Sequence, residues 1–196
     1  VSKDTKPAEK KRQKSLYSPV STRILRALLQ EPKKTWSIKF LSSATQVSLG
    51  YTHRVVEKLL DEKIIQRNDN YLLELKDPQR LLNQWREEYS YRQNTIHPFY
   101  TFEKSKELFF KKLVNISTSK EIEYALTLHS GASFLAPYVR YTDIHLYIGS
   151  SLEALKETLD LRPVESGANL YLIEPYDRGV FQGVQTVNQL KIVSNI

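Results

Sequence analysis

The 196-residue sequence contains no cysteine and no methionine, and only six glycines. The absence of cysteine excludes disulfides, zinc sites built from thiolates and a thiol nucleophile, because each of these needs that side chain. The sequence contains no glycine-rich phosphate loop, no HExxH motif and no GxSxG motif, which removes the commonest signatures of nucleotide hydrolases, zinc peptidases and serine hydrolases. The composition fits a reducing, cytoplasmic location, and we expect no cofactor.

Long apolar runs are missing as well. No stretch of about 18 apolar residues is present, so we expect neither a membrane span nor a membrane partner. The first residues are polar and lysine-rich and lack an apolar region, so they do not resemble a secretory signal. Hydrophobic content is 40% and charged content is 26%, which is ordinary for a globular protein with its own core.

Positive charge is concentrated at one end of the chain. Residues 1–76 contain 16 Lys and Arg against eight Asp and Glu, whereas residues 77–196 contain 13 against 14. A polyanion bound by the first part explains this asymmetry most simply, and a basic tail that only aids solubility is the alternative. Residues 1–15 are expected to be that flexible basic tail, which either follows phosphates or stays solvated.

The strongest motif is a helix-turn-helix inside the basic part. Ser48 is a typical N-cap, and Thr52, Val56 and Leu59 follow at spacings of four and three, which predicts one inward face of a helix that runs to about Glu62. The helix before it is expected to begin near Ser37. Its predicted inward residues are Phe40, Leu41 and Ala44.

Flanking elements extend this motif to a winged helix-turn-helix over residues 16–77. A first helix follows Ser18-Pro19, with Arg23 and Arg26 expected on its solvent side. Residues 36–38 are predicted as a short strand. Strands over 64–67 and 71–75, joined by Asn68-Asp69-Asn70, are predicted to form the wing.

The exposed face of the second motif helix can lie in the DNA major groove. Arg54 can donate two parallel hydrogen bonds to guanine O6 and N7, Ser48 and Tyr51 can donate to phosphates, and Gly50 lets the backbone approach the duplex. A winged helix used for protein contacts is the alternative. The predicted DNA-binding residues are Ser48, Gly50, Tyr51, His53, Arg54, Lys39, Lys58 and Arg67.

The second part of the sequence predicts a linker helix and a small mixed α/β domain, which makes the whole chain α+β. The linker is expected over residues 78–98, and its aromatic stripe is expected to serve as ordinary core, with dimerisation as the alternative. The domain over 99–196 is predicted to contain helices over 103–114, 129–136 and 151–159. Its predicted strands are 124–128, 144–148, 170–173, 180–181 and 190–193.

One pattern in this domain is similar to nucleotidyltransferases, which place a Gly-Ser turn before an Asp-x-Asp strand. Here Ser130-Gly131 precedes Asp143 and His145, so the Gly-Ser order is inverted and the second carboxylate is missing. Phosphoryl transfer of that type needs two carboxylates to hold metal ions. We therefore expect no catalytic and no metal-binding residue, and keep a nucleotidyltransferase-like enzyme as the alternative function. A ligand-sensing regulator is a third.

Two segments carry a family resemblance. LTLHSGASFLAPYVRY over 126–141 and VESGANLYLIEPYDRGVF over 164–181 resemble AbiEi-type antitoxins, the transcriptional regulators of AbiE-like type IV toxin–antitoxin systems. The resemblance covers about residues 16–196, although Leu128-His129 replaces the family's usual glycine after Leu-Thr. It also implies further helices after Ile196, so a truncated domain is one expectation.

The resemblance implies a function that the residues alone do not. It implies a winged helix that binds the protein's own operator and a C-terminal domain that acts in antitoxicity. It further implies a paired nucleotidyltransferase toxin that is countered without a stable complex. The oligomeric state is left open.

Overall fold

A computed structural model describes residues 16–120, 122–136, 138, 140–149 and 151–193. The predicted basic tail over residues 1–15 lies outside them. Within the described residues the fold is mixed α/β, as predicted, with seven α-helices and two β-sheets. No helix in these parts of the chain is long and apolar enough to cross a membrane.

Three helices and a β-hairpin form the first half of the described chain. They are α1 (Pro19–Gln30), α2 (Ile38–Thr45), α3 (Leu49–Asp61), β1 (Ile65–Arg67) and β2 (Leu73–Leu75). Pro19 lies in the first turn of α1, where its missing N–H costs no hydrogen bond. Ser37 caps α2, because its hydroxyl accepts a hydrogen bond from the Phe40 N–H at 3.1 Å.

The hairpin packs back onto the helices through Trp36. The Leu73 N–H donates to the Trp36 carbonyl at 2.8 Å, and the Trp36 N–H donates to the Leu73 carbonyl at 2.9 Å. The strand predicted over 36–38 is therefore a single bridge, since Ser37 already caps α2. In the hairpin turn, the Asn68 side chain accepts hydrogen bonds from the backbone N–H groups of Asn70 and Leu72.

The inward face of α2 is narrower than predicted. Leu41 and Thr45 are buried, whereas Phe40 is 51% exposed and Ala44 is also exposed. The helix has only eight residues, and its core side consists of the buried Leu41 and Thr45 with the partly buried Ile38. The predicted inward positions of Phe40 and Ala44 were wrong.

The helix α4 (Pro78–Glu88) belongs to the core of the first half. Leu81 and Trp85 are buried among residues of α1, α3 and the hairpin, as expected of core residues, whereas Tyr89, the next aromatic residue of the predicted stripe, is 41% exposed. A 3-10 turn (Tyr91–Gln93) then leads into β3 (Thr95–Tyr100). The segment predicted as a linker over 78–98 therefore ends inside a strand.

A seven-stranded mixed sheet forms the second half, in the order β6-β3-β7-β5-β4-β9-β8. The pairs β5–β7 and β4–β9 are parallel and the other pairs are antiparallel. Besides β3, the strands are β4 (Tyr124–Leu126), β5 (Ile144–Ile148), β6 (Arg162–Pro163), β7 (Leu170–Glu174), β8 (Gln185–Val187) and β9 (Leu190–Ile192).

The two faces of this sheet bury different partners, because side chains alternate along each strand. Leu146 and Leu172 point into the larger core, which α5 (Lys106–Lys120) and α7 (Leu152–Leu159) cover; α6 (Leu128–Leu135) follows β4. Tyr147 and Ile173 point the other way and meet Val180.

Val180 belongs to a 3-10 turn (Arg178–Phe181), not to the strand predicted over 180–181. The turn forms because the Asp177 carboxylate accepts a hydrogen bond from the Gly179 N–H at 2.7 Å. This capping contact competes with extended backbone, and the apolar pair Val180-Phe181 did not reveal it.

Candidate nucleic-acid interface

The helix α3 has one buried and one exposed face. Thr52, Val56 and Leu59 are buried, which confirms the predicted inward stripe. The exposed side of the first turns carries Leu49, Gly50, His53 and Arg54. Spacings of three and four place these side chains next to one another.

Arg54 is the cation best placed on this face. It is exposed, and its guanidinium lies 5.2 Å from the centre of the Tyr51 ring. It has no carboxylate partner among the described residues. The ring supports the arginine stem without using its hydrogen-bond donors, which leaves the planar fork available to a ligand.

Tyr51 faces α1, although the sequence predicted it as a phosphate donor. Its hydroxyl makes hydrogen bonds of 2.8 Å with the Ser18 hydroxyl and 2.9 Å with the Ser21 hydroxyl. These bonds tie the start of α3 to the start of α1. Tyr51 therefore positions the exposed face, and a bond from its hydroxyl to phosphate would have to replace an internal one.

Ser48 and Gly50 flank the first residue of α3 and leave room around it. Ser48 occupies the N-cap position without a capping bond from its side chain. An added Cβ at Gly50 would meet nothing within 4 Å. Another backbone or a base can therefore approach this turn closely.

A carboxylate joins the hairpin to α3. Glu57 Oε1 lies 3.4 Å from an Arg67 terminal nitrogen and 3.9 Å from His53 Nε2. All three side chains are at least one-third exposed, so the contacts add little to folding stability. Two predicted residues from separate elements thus meet on Glu57, an acidic group that the sequence interpretation did not include.

The remaining predicted cations lie at the sides of this face. Lys39 is exposed on α2, and Lys58 is half-buried one turn after Arg54. Lys34, close in sequence, is held over the rings of Trp36 and Phe40 at 4.2 Å and 5.1 Å. The eight predicted residues therefore come from α2, α3, the turn between them and β1.

Leu49 is a surface residue that the sequence interpretation missed. It is 54% exposed, although its spacing of three from Thr52 assigns it to the inward stripe. The first turn of α3 extends past the core, and position alone does not reveal this. Leu49 lies one turn before His53 and gives the exposed face an apolar residue in addition to its cationic ones.

The halves of the chain are joined through the α1 residues that were predicted to face solvent. Arg23 binds Asp177 with two nitrogens, Nε to Oδ1 at 2.9 Å and a terminal nitrogen to Oδ2 at 2.7 Å. The Gln30 amide donates to the Gln182 carbonyl at 3.0 Å. Because the second half covers this side of α1, the solvent-side prediction for Arg23 was wrong.

Arg26 is also covered rather than solvated. Its guanidinium lies 5.4 Å from the centre of the Trp85 ring. Burial lowers the pKa of Arg26, and the nearby Tyr176 and Tyr147 hydroxyls oppose that shift. The interface thus holds α1, and with it α3, against the seven-stranded sheet.

The Ser130-Gly131 pattern serves packing. The buried Ser130 hydroxyl accepts from the His145 N–H at 2.9 Å and approaches the Asp143 carbonyl at 3.3 Å. An added Cβ at Gly131 would lie 2.8 Å from the Leu126 carbonyl oxygen, so only glycine fits. These contacts explain both residues without a phosphate.

His145 is likewise held inside the sheet. Its ring stacks on Tyr171 with centroids 4.8 Å apart, and burial lowers its pKa from the ordinary value of 6.5. Within the described residues, no group of three or more His, Asp or Glu is placed to hold a metal ion. Asp143 and His145 are therefore not joined by a third ligand there.

Comparison with known proteins gives one match. A family model described as transcriptional regulator, AbiEi antitoxin, type IV TA system matches residues 74–196, more than half of the chain. A search of curated proteins and a search of solved structures found no match. The match covers the second half and leaves out α1, α2 and α3. The chain belongs to the AbiEi antitoxin family of transcriptional regulators of type IV toxin–antitoxin systems.

Proposed function

We propose that residues 16–77 form a winged helix-turn-helix that binds duplex DNA at the protein's own operator, and that the chain is an autoregulating antitoxin. The observation that carries DNA binding is the exposed face of α3, with Leu49, Gly50, His53 and Arg54 on one side and a buried stripe on the other. Membership of the AbiEi family supports a role in transcriptional regulation. The geometry of α3 supports DNA binding as the way in which the protein regulates transcription.

The proposed recognition has two parts. Arg54 reads guanine and Leu49 packs against a thymine methyl group in the major groove, because both side chains stand on the first turns of α3. Ser48, Lys39, Lys58 and Arg67 hold phosphates around them. His53 shares Glu57 with Arg67 in the free protein and can exchange that contact for a phosphate.

The domain organisation is part of the same proposal. Residues 1–15 add a basic tail that strengthens binding without sequence preference. Residues 78–98 connect the winged helix to the antitoxin domain over 99–196. The paired toxin is a nucleotidyltransferase that this domain counters in the cytoplasm without a stable complex. The Asp143 carbonyl and the His145 ring have structural partners, and no observation on the described residues favours an enzyme over a regulator.

A salt titration tests the DNA-binding proposal. Fluorescence anisotropy of the labelled upstream region should show binding whose log–log salt slope is about −0.9 per phosphate contact, hence roughly −3 or steeper for Lys39, Lys58 and Arg67 with the tail. Arg54→Ala should weaken binding by about 1–3 kcal/mol. Arg92→Ala, an exposed arginine on the 3-10 turn after α4, is the matched control. Absence of binding at low salt, or equal losses in the two variants, contradicts the proposal.

A further inference from the structure

We propose that the second half of the chain holds a separate binding cleft for a nucleoside phosphate, either a free nucleotide or a unit of single-stranded nucleic acid. The cleft is lined by Lys106, Arg140, Tyr141 and Thr142, has a volume of about 490 Å³ and is open to solvent. This volume lies within the range of small-molecule sites, about 300–1,000 Å³. None of these residues belongs to the proposed DNA-binding face.

Hydrogen bonds bring the residues that line the cleft together where β3 ends and β5 begins. Asn169 accepts from the Thr101 N–H at 2.8 Å through its side chain, and its carbonyl accepts from the Ile144 N–H at 2.9 Å. These bonds bring the end of β3 beside the start of β5. Lys106, at the start of α5, and Tyr141, shortly before β5, therefore meet at this end of the strands.

Tyr141 is fixed from two directions. The Lys106 ammonium donates to the Tyr141 carbonyl and lies 3.8 Å from the centre of its ring. The Tyr141 hydroxyl lies 3.4 Å from the Ser133 hydroxyl. The ammonium has three protons, of which the carbonyl takes one and the ring face can take another, so one remains for an anion. The cleft is therefore partly preorganised around a cation.

Donors next to Lys106 are available. Arg140 and Thr142 are exposed, and neither side chain has a hydrogen-bond or ion-pair partner within the described parts of the chain. Residues 77–196 carry 13 basic and 14 acidic side chains, so this cationic spot does not follow from the charge of the domain. Lysine, arginine and hydroxyl donors together are the usual set that binds phosphate.

Two exposed aromatic residues that lie close to the cleft lining in the sequence indicate a base as well as a phosphate. Tyr138, two residues before Arg140, is 92% exposed. Phe102, two residues after the end of β3, is 56% exposed and has the Arg162 guanidinium 4.8 Å from its ring centre. Basic groups beside exposed rings are typical of sites for nucleotides and single strands, where bases stack on the rings. Duplex DNA keeps its bases stacked inside and does not offer them.

Calorimetry and anisotropy on the full chain test this proposal. The probes are ATP, sodium phosphate and a fluorescein-labelled eight-nucleotide single-stranded RNA. ATP or the RNA should bind saturably, and Arg140→Glu should weaken that binding about tenfold or more. Adding Lys106→Gln should weaken it further. Tyr138→Ala should weaken ATP while leaving phosphate unchanged. Arg92→Glu, the same charge change away from the cleft, should change binding less than about twofold.

The outcomes separate the sources and the two proposals. ATP bound as tightly as RNA identifies a free nucleotide, whereas tighter RNA binding identifies a single strand. Arg54→Ala should leave ATP binding intact. If the chain binds ATP but no duplex DNA, that result contradicts the winged-helix proposal and leaves the cleft proposal standing. The cleft proposal is overturned if neither ATP nor RNA binds, if phosphate binds as well as ATP, or if Arg92→Glu matches Arg140→Glu. The Arg140 side chain is exposed and has no hydrogen-bond or ion-pair partner among the described residues, so we expect Arg140→Glu to fold, and an unchanged urea denaturation curve checks this.

Discussion

The ion pair between the halves of the chain gives the sharpest stability prediction. Arg23 binds Asp177 with two nitrogens, and the Asp177 side chain is only 8% exposed against 24% for Arg23. Arg23→Ala leaves that carboxylate with the Gly179 N–H but without its cation. The loss of charged hydrogen bonds to a nearly buried acid should cost about 2–3 kcal/mol of the free energy of unfolding.

Urea denaturation measures this loss, and heating should show a fall of roughly 4–12 °C in Tm for a chain of this size. A double-mutant cycle that combines Arg23→Ala with Asp177→Ala isolates the interaction between these two residues. Its coupling energy should account for most of the stability lost in Arg23→Ala. The control is Arg178→Ala, which breaks the contact between Arg178 and Glu123, whose side chains are 68% and 40% exposed; it should cost about 0.5 kcal/mol or less. Equal losses of unfolding free energy in Arg23→Ala and Arg178→Ala would refute the argument that burial determines how much an ion pair stabilises the fold.

Three further predictions concern DNA contact and pH. Leu49→Ala should remove a preference for thymine over uracil in the bound site, worth about 0.8 kcal/mol for one buried methyl group. Binding assays on matched thymine and uracil duplexes measure this preference. If it survives in Leu49→Ala, a residue other than Leu49 contacts the methyl group. Glu57→Gln should tighten duplex binding several-fold, because it removes the carboxylate that competes with phosphate for Arg67 and His53, whereas Glu87→Gln on α4 should have no such effect. Burial lowers the pKa of His145 below 6.5, so the unfolded chain takes up the proton first and stability should fall as pH drops from 6.5 through that lowered pKa; His145→Asn should flatten this part of the stability–pH curve, and an unchanged slope would contradict the assignment.

Periodicity predicted the inward face of α3 well, because this helix is long enough to carry a stripe over several turns. The buried residues Thr52, Val56 and Leu59 follow directly from spacing. The exposure of Phe40 and Leu49 does not follow from spacing, since each lies in the first turn of its helix, where the core no longer covers the side that spacing indicates. Their exposure is a tertiary property.

The contact between the two halves of the chain could not be predicted from the sequence, for a different reason. Arg23 and Asp177 are 154 positions apart, and no local pattern marks either as a partner. A charged residue on a helix is usually solvated, so the prediction for Arg23 followed the common case. Likewise, the Asp177 cap converted the apolar pair at 180–181 from a predicted strand to a 3-10 turn.

Of the candidate site, the sequence predicted the cationic residues and missed their supports. Arg54 and His53 are exposed on α3, where the pattern placed them. The Tyr51 contact with α1 and the Glu57 contact with Arg67 depend on how separate elements pack. The cleft at Lys106 and Arg140 joins residues 34 positions apart, which no motif in the sequence connects.

Selection of binding sites from a random duplex library tests the central claim most directly. The full chain should enrich one motif that contains a guanine, and the requirement for that guanine should disappear in Arg54→Ala while the rest of the motif persists. Arg92→Ala should select the same motif as the unaltered chain. Failure to enrich any motif, or an unchanged guanine requirement in Arg54→Ala, would contradict sequence reading by α3.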